Sequence, residues 1–396
     1  MFDRQFSSVS MADVQRLIEN SVAEGPQLEY KQELKVNQDK EKKEFLADVS
    51  AFANSSGGVI LYGVAVDPVE KGIPVSIPGL AIYEHDQTIR KLEQLIQDGV
   101  APRLQGIDFR KIDVDGGGPV LAIRIPKSWL GPHMVMLGGT SRFFIRKNSL
   151  KSQLNVDEIR SAFLESDAKY DRAKRFRDDR LGQILVGETP APLDGSANPI
   201  TVVHMIPISS VGSDNRVNFG SGERSDFQLW PPRLSGGTSR RNFDGFVTIV
   251  QSNEDRGRSP GYVQVFRTGA IEAVSKQMIG LNDHHGMHIP SKAFELNVVD
   301  AARTYFNWLK NHEVECPIAI CLSILGIKGA YMTSGFGPGE RCTIEKDNLI
   351  FPEVIVESLE TPPEVWLKPV FDILWQSCGF QRSANYDANG QWKPSN

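Results

Sequence analysis

The stretch from Glu41 to Val64 constrains the fold of this chain more than any other. Phe45, Val49 and Phe52 recur at helical spacing, with Leu46 and Ala53 flanking them, which predicts a helix over 41–54 with one apolar face. Asn54 ends it, and Gly57-Gly58 supply the backbone freedom for a tight turn. Val59 to Val64 is a short apolar run, too short for a helix, and is predicted as a buried strand. The pentad Asn54-Ser55-Ser56-Gly57-Gly58 has two readings. It can be a helix C-cap and turn, or it can offer backbone N–H groups to a phosphate. It lacks the Lys-Ser/Thr of a Walker loop, so nucleotide hydrolysis is not indicated.

Other elements follow by the same reasoning. Val14, Leu17 and Ile18 behind Ser10 predict a first helix, and Leu28-Glu29-Tyr30-Lys31 opens a strand after a Glu-Gly-Pro turn. Ile89, Leu92, Leu95 and Ile96 predict a helix over 85–97. Strands near 107–113 and 119–125 flank Gly116-Gly117-Gly118, a hairpin loop. Arg142 to Arg146 is another strand. Its two phenylalanines, Phe143 and Phe144, point to opposite faces, one into the core and one towards a surface groove. Asn155 caps a further helix to about 165, with Glu158 completing a capping box. Most residues from 166 to 180 are charged, which predicts a solvated helical connector, and Pro and Gly cluster at 187–199. With 396 residues, two or three domains are expected. The divisions fall at 1–165, at a connector over 166–195, and at 196–396. In the last, strands near 200–206, 245–251, 261–268 and 317–325 alternate with a helix near 293–311, and long loops fill 208–243.

Composition narrows the function. The net charge of -5 argues against coating nucleic acid by bulk charge, but leaves room for a local basic groove beside an acidic site. No run approaches the roughly 20 apolar residues of a membrane span. The N-terminus has no apolar signal region, so a cytoplasmic location is expected. Cys316, Cys321, Cys342 and Cys378 fit no zinc spacing and read as reduced thiols. The tract His284-His285-Gly286-Met287-His288, beside Asp283, is better read as a polar loop than as a metal site.

The candidate site gathers around the same helix–turn–strand unit. Glu24 and Glu29 lie across a Gly-Pro turn that permits them to converge, and Asp67 follows the end of the buried strand. Three carboxylates with Lys31 nearby are the parts a divalent metal, Mg²⁺ or Mn²⁺, needs to cut a phosphodiester. Glu29-Tyr30-Lys31 has the Glu-x-Lys form of many metal nuclease sites, in which the lysine offsets charge on the phosphate. Read singly, the glutamates are better taken as surface charges on a strand edge, and Asp67 as a turn aspartate. Lys31, Lys35, Lys40, Lys42, Lys43, Arg142, Arg146 and Lys147 are candidate contacts to nucleic-acid backbone.

Glu24-x-x-x-x-Glu29-Tyr30-Lys31, the run Ala51-Phe52-Ala53-Asn54-Ser55-Ser56-Gly57-Gly58-Val59-Ile60-Leu61-Tyr62-Gly63-Val64, and Phe144-Ile145-Arg146-Lys147 before a capped helix together resemble the Schlafen AlbA-like (AlbA_2) domain over about residues 10–165. The resemblance implies an α+β fold. Its first domain is a mixed or mostly antiparallel sheet with helices on one side, and an α/β or α+β domain of unknown role follows. It implies either of two functions. Nuclease-active Schlafens cut tRNA and related RNA with three carboxylates and a divalent metal, which points to a metal-dependent endoribonuclease with a defence or stress role. Many bacterial relatives are instead described as DNA-binding regulators or ATP-binding proteins, which points to a non-catalytic DNA- or RNA-binding transcriptional regulator. On the first view Glu24, Glu29 and Asp67 bind metal, and RNA is favoured over DNA. One departure stands out. The family places an acid directly after Gly-Val, whereas here Ala65 and Val66 intervene before Asp67. Only one copy of the domain is visible, so a clamp around RNA requires a homodimer or the second half of the chain.

Overall fold

The computed structural model of the chain describes residues 6–70, 72–81, 84–210, 217, 219, 228–252, 257–282, 286–333 and 342–394. It divides into two compact units, Met1–Ala168 and Lys169–Asn396. Both are α+β.

The first unit runs α1 (Met11–Glu19), β1 (Leu28–Lys31), α2 (Asp39–Ala53), β2 (Gly58–Tyr62), β3 (Ala65–Val66), β4 (Pro74–Ser76), α3 (His85–Gly99), β5 (Val100–Ala101), β6 (Asp108–Ile112), β7 (Val120–Ile125), β8 (Met134–Leu137), β9 (Thr140–Lys147) and β10 (Leu150–Gln153). It holds two four-stranded sheets, ordered β1-β2-β7-β6 and β10-β9-β8-β5. Only β1 and β2 pair in parallel, which makes the first sheet mixed.

Alternation along the strands explains the layers. Ile60, Tyr62, Leu121 and Ile123 face α2 and α3 and pack on Phe45, Val49, Phe52 and Leu92. Leu28, Tyr30, Val59 and Leu61 face the other way, onto Val14 and Leu17 of the short α1. The two long helices thus share one face of the sheet, and α1 covers the opposite face.

The helix that Asn155 opens does not stop near 165. α4 spans Val156–Leu185, thirty residues, and the boundary between the units falls inside it. Its Arg, Lys, Glu, Ala and Leu residues are good helix formers, and no Gly or Pro interrupts it before Gly182. Nor are they all solvated. Arg177 is buried, and Arg180 pairs with a buried carboxylate.

The second unit continues with β11 (Ile200–Pro207), β12 (Thr238–Arg241), β13 (Gly245–Ile249), β14 (Gly261–Phe266), β15 (Ile271–Ser275), β16 (Gly280–Asn282), β17 (Gly286–Pro290), α5 (Ser291–Asn311), β18 (Ile318–Leu325), β19 (Tyr331–Thr333), β20 (Asn348–Ile350), β21 (Val354–Val356) and α6 (Pro363–Gln376). An antiparallel eight-stranded sheet, β12-β13-β14-β15-β11-β18-β20 with β21 also on β18, forms its centre. One face carries Val203, Met205, Val263 and Ile320 onto α5 and α6. The other carries Val202, Tyr262 and Val274 onto Leu181 and Ile184 of α4. Burial on both faces accounts for the near-continuous apolar strands. Parts of the 208–243 loops, and Asp283, His284 and His285, lie outside the described residues. His288 sits on β17, its ring 6.4 Å from that of Tyr331. No helix among the described residues is long and apolar enough to cross a membrane.

Candidate nucleic-acid interface

Strand β1 presents Leu28 and Tyr30 to the α1 side, so Glu29 and Lys31 point to the other, where α2 and β9 meet. Glu29 is only 9% exposed. Its Oε1 takes the Lys31 ammonium at 2.6 Å, and its Oε2 accepts a hydrogen bond from the Arg146 guanidinium. Lys31 also lies 3.3 Å from Asp48 Oδ2, and Lys151 Nζ lies 2.6 Å from Asp48 Oδ1 and 2.7 Å from Glu44. These groups form one chain of alternating charge joining β1, α2, β9 and β10. Burial opposes the charge on Lys31, but Asp48 and Glu29 outweigh it and hold the ammonium pKa above its ordinary range. Burial first, and then the neighbouring Glu29, raise the Asp48 carboxyl.

Arg146 is the hub of this cluster. It is 6% exposed and donates to Glu29, to the Gly25 carbonyl at 2.9 Å and to the Ser149 carbonyl at 3.2 Å. Its guanidinium also stacks 4.2 Å from the centre of the Phe52 ring. The expectation that Arg146 contacts nucleic-acid backbone is therefore corrected. Its fork is spent inside the protein.

The three acids do not assemble. Glu24 Oε1 accepts the Tyr30 N–H at 3.0 Å and so lies against β1. Asp67 caps its own turn, accepting from the N–H groups of Val69 at 2.7 Å and Glu70 at 2.9 Å, and those two bonds lower its pKa. Ala65 and Val66, between Gly63-Val64 and Asp67, form β3, which places Asp67 in a hairpin with β4 whose Gly72 carbonyl accepts the Glu24 N–H at 2.8 Å. No group of three or more His, Cys, Asp or Glu side chains is placed to hold a metal ion among the described residues. The set Glu24, Glu29 and Asp67 does not fit a divalent cation as it stands, because Glu29 already has two cationic partners and Asp67 is a turn cap.

The remaining basic candidates separate by partner. Lys35 pairs with Glu33, Lys42 with Asp39 at 3.4 Å, and Lys147 with Glu158 at 2.6 Å. Arg142 is exposed and Lys43 is half-buried, and among the described residues neither makes a salt bridge. The Lys43 ammonium lies over the β8–β9 turn, 3.0 Å from where a Cβ on Gly138 would stand. Arg142 is opposite Val135 on the neighbouring strand, and Val135 faces the core under α2. Arg142 and Lys43 thus lie on the same side of the hairpin, with exposed Lys40 one turn before Lys43 on α2.

Phe144 packs in the core, as one of the two phenylalanines must. Phe143 lines no open groove, because Phe163 of α4 covers it edge-on at 5.9 Å. The Asn54–Gly58 turn is structural too. Asn54 bonds the carbonyls of His133 and Phe144, each at 2.9 Å, and Ser55 Oγ accepts the Arg146 N–H at 2.8 Å. Sequence reasoning missed Asp48 and Lys151. The signal for Asp48 was present, since it stands between Phe45 and Phe52 on the apolar face of α2, where a bare carboxylate requires a cation.

The family comparison falls within this unit. Residues 24–155 match the family model described as Schlafen, AlbA_2. No curated protein matches the chain. Among solved structures, the chain is similar to the solution NMR structure of the N-terminal domain of a protein from Nitrosomonas europaea related to the ATP-dependent DNA helicase RecG. The identity is 24%, over 37% of this chain and 96% of that one, with a TM-score of 0.26. The residues that carry the buried charge cluster and the cationic edge fall within the matched segment, and the first unit of this chain carries a Schlafen AlbA_2 domain.

Proposed function

We propose that the first unit binds nucleic-acid backbone, RNA or DNA, through Lys40, Lys43 and Arg142 where α2 meets the β8–β9 turn, and that its carboxylates hold the domain together rather than cut. The observation that carries this reading is the state of Glu29. The central acid of the catalytic alternative is buried between Lys31 and Arg146, while Arg142 stands exposed with no salt bridge among the described residues. Cations at such an edge neutralise phosphates and release counterions, so binding should weaken steeply with salt and ignore EDTA. The test is fluorescence anisotropy with labelled single-stranded RNA and DNA across a salt series. The double variant Lys43→Ala/Arg142→Ala should bind more weakly, with a log–log salt slope shallower by about 0.7 per lost contact on single strands. An unchanged slope overturns the assignment.

The metal-dependent nuclease, with tRNA its leading substrate and Mg²⁺ or Mn²⁺ its cofactor, remains the second reading. One observation favours it. Glu24 and Glu29 are brought to the same end of β1, with Lys31 beside them. On that reading Lys31 and Arg146 release Glu29 when substrate arrives. Incubation with tRNA in Mn²⁺, Mg²⁺ or EDTA separates the two. Cutting that needs metal and is lost in Glu29→Gln, a variant that still binds, replaces the binding-only reading.

A further inference from the structure

Two of the four cysteines, distant in sequence, are neighbours in the second unit. Cys378 follows the end of α6 and is buried, its N–H bonding the Trp375 carbonyl at 3.0 Å. Cys342 is exposed, immediately ahead of Thr343, which bridges back to Tyr331, and Ile344, which is buried in the core. Gly379 turns the chain after α6 with a φ of 84°, and Cys342 lies directly over it. A Cβ on Gly379 would stand 2.7 Å from Cys342 Sγ and 2.9 Å from its Cβ. A thiol seated on Gly379 is one residue, about 3.8 Å of Cα travel, from Cys378. The Cys342 thiol therefore sits beside the residue that follows Cys378, near enough that its charge acts on the Cys378 thiol, and a disulfide requires Cα atoms roughly 4.4–6.8 Å apart.

We propose that Cys342 and Cys378 are an oxidation site, converted by a peroxide into an intramolecular disulfide that ties the chain ahead of β20 to the end of α6. The Cys342 thiolate attacks the peroxide, breaking its O–O bond. This gives a sulfenic acid and, from hydrogen peroxide, hydroxide. The Cys378 sulfur then displaces the sulfenic hydroxyl, which leaves with the Cys378 proton as water. Two thiols and one hydrogen peroxide become one disulfide and two waters, and a dithiol reductant restores the thiols. Exposure makes Cys342 the attacking sulfur. Burial, and then the neighbouring Cys342, push the Cys378 thiol up to about 12, which leaves initiation to Cys342. Cys316 and Cys321 serve as internal controls. Burial pushes their thiols up to about 11 and about 12, and Cys321 is enclosed within β18.

The test uses the full chain. The protein is treated with hydrogen peroxide, its remaining thiols are alkylated under denaturing conditions, and it is digested without reduction for mass spectrometry. The expected product is a cross-linked peptide joining Cys342 and Cys378, two hydrogens lighter than its halves and lost on dithiothreitol treatment. Cys316 and Cys321 should be fully alkylated. Cys342→Ser, at an exposed position, should fold as wild type and leave Cys378 alkylated. Sulfinic acid at Cys342, or a disulfide from Cys342 to a second copy, with Cys378 a free thiol throughout, overturns the proposal.

Discussion

Arg146 shows what a single residue can and cannot reveal. Its sequence setting, a cation ending an aromatic strand, suits a phosphate contact, yet the side chain turns inward to Glu29, Gly25 and Phe52. Spacing cannot show this, because the partner lies 117 positions away. Glu29 and Lys31 were legible as chemistry-bearing residues from their position on β1. That they neutralise one another follows only once α2 and β9 close over them. The two roles for Arg146 predict different failures. As a buried partner, Arg146→Met leaves Glu29 with Lys31 alone and takes a donor from the Gly25 and Ser149 carbonyls, and should cost on the order of 3 kcal/mol in urea denaturation. As a phosphate contact it would leave stability intact and weaken binding only. Asp67→Ala should change neither stability nor binding measurably, since a water can replace the side chain of an exposed turn. Loss of a metal-dependent activity in that variant would restore Asp67 to the site.

At the scale of elements, the α2–turn–β2 unit was the most legible part of the chain, and its glycines show why. Gly57 has a φ of 66°, and a Cβ there would stand 2.5 Å from the Lys127 backbone nitrogen and 2.8 Å from the Ile125 carbonyl oxygen. The turn thus does two things at once, reversing the chain in the left-handed region and allowing the segment after β7 to pass against it. Gly57→Ala should therefore lose at least the roughly 1–3 kcal/mol of a non-glycine residue held in that region. Thermal melting measures this, and a melting temperature equal to wild type would show that the neighbouring backbone yields. The opposite case is α4. Helix propensity was recognised on both sides of residue 166, but the run of charge suggested a solvated connector. Arg180 instead reaches a buried carboxylate on the sheet, a use of charge that periodicity does not encode.

For the molecule as a whole, two buried glutamates of the second unit set opposing pH dependences. Glu272 is fully enclosed and accepts from Arg180 at 2.7 Å on each oxygen, from Tyr262 at 2.8 Å, and pairs with His204 at 3.1 Å. Burial alone would raise its pKa, but the bonds from Arg180 and His204 together win and bring it down to about 2. Its stabilisation is fully present above the ordinary 4.5 and is lost as pH falls through about 2. Among the described residues no cation pairs with Glu295. Trp375, Ser383 and Asn385 all donate to it, and burial still pushes it up to about 7. Its protonated form is stabilising below 4.5, and that contribution disappears as pH rises through about 7. Each shift corresponds to about 3 kcal/mol, so these two groups alone place the stability maximum of the unit near the ordinary glutamate pKa. Glu295→Gln separates them. Its amide sets an N–H against a donor from Trp375 or Asn385, so the variant should be less stable at acidic pH. Its stability should, however, no longer fall between pH 4.5 and 7. Urea denaturation followed by tryptophan fluorescence reads this slope, with Trp375 itself on the carboxylate. A wild-type slope retained in Glu295→Gln would show that another group carries the neutral-pH dependence.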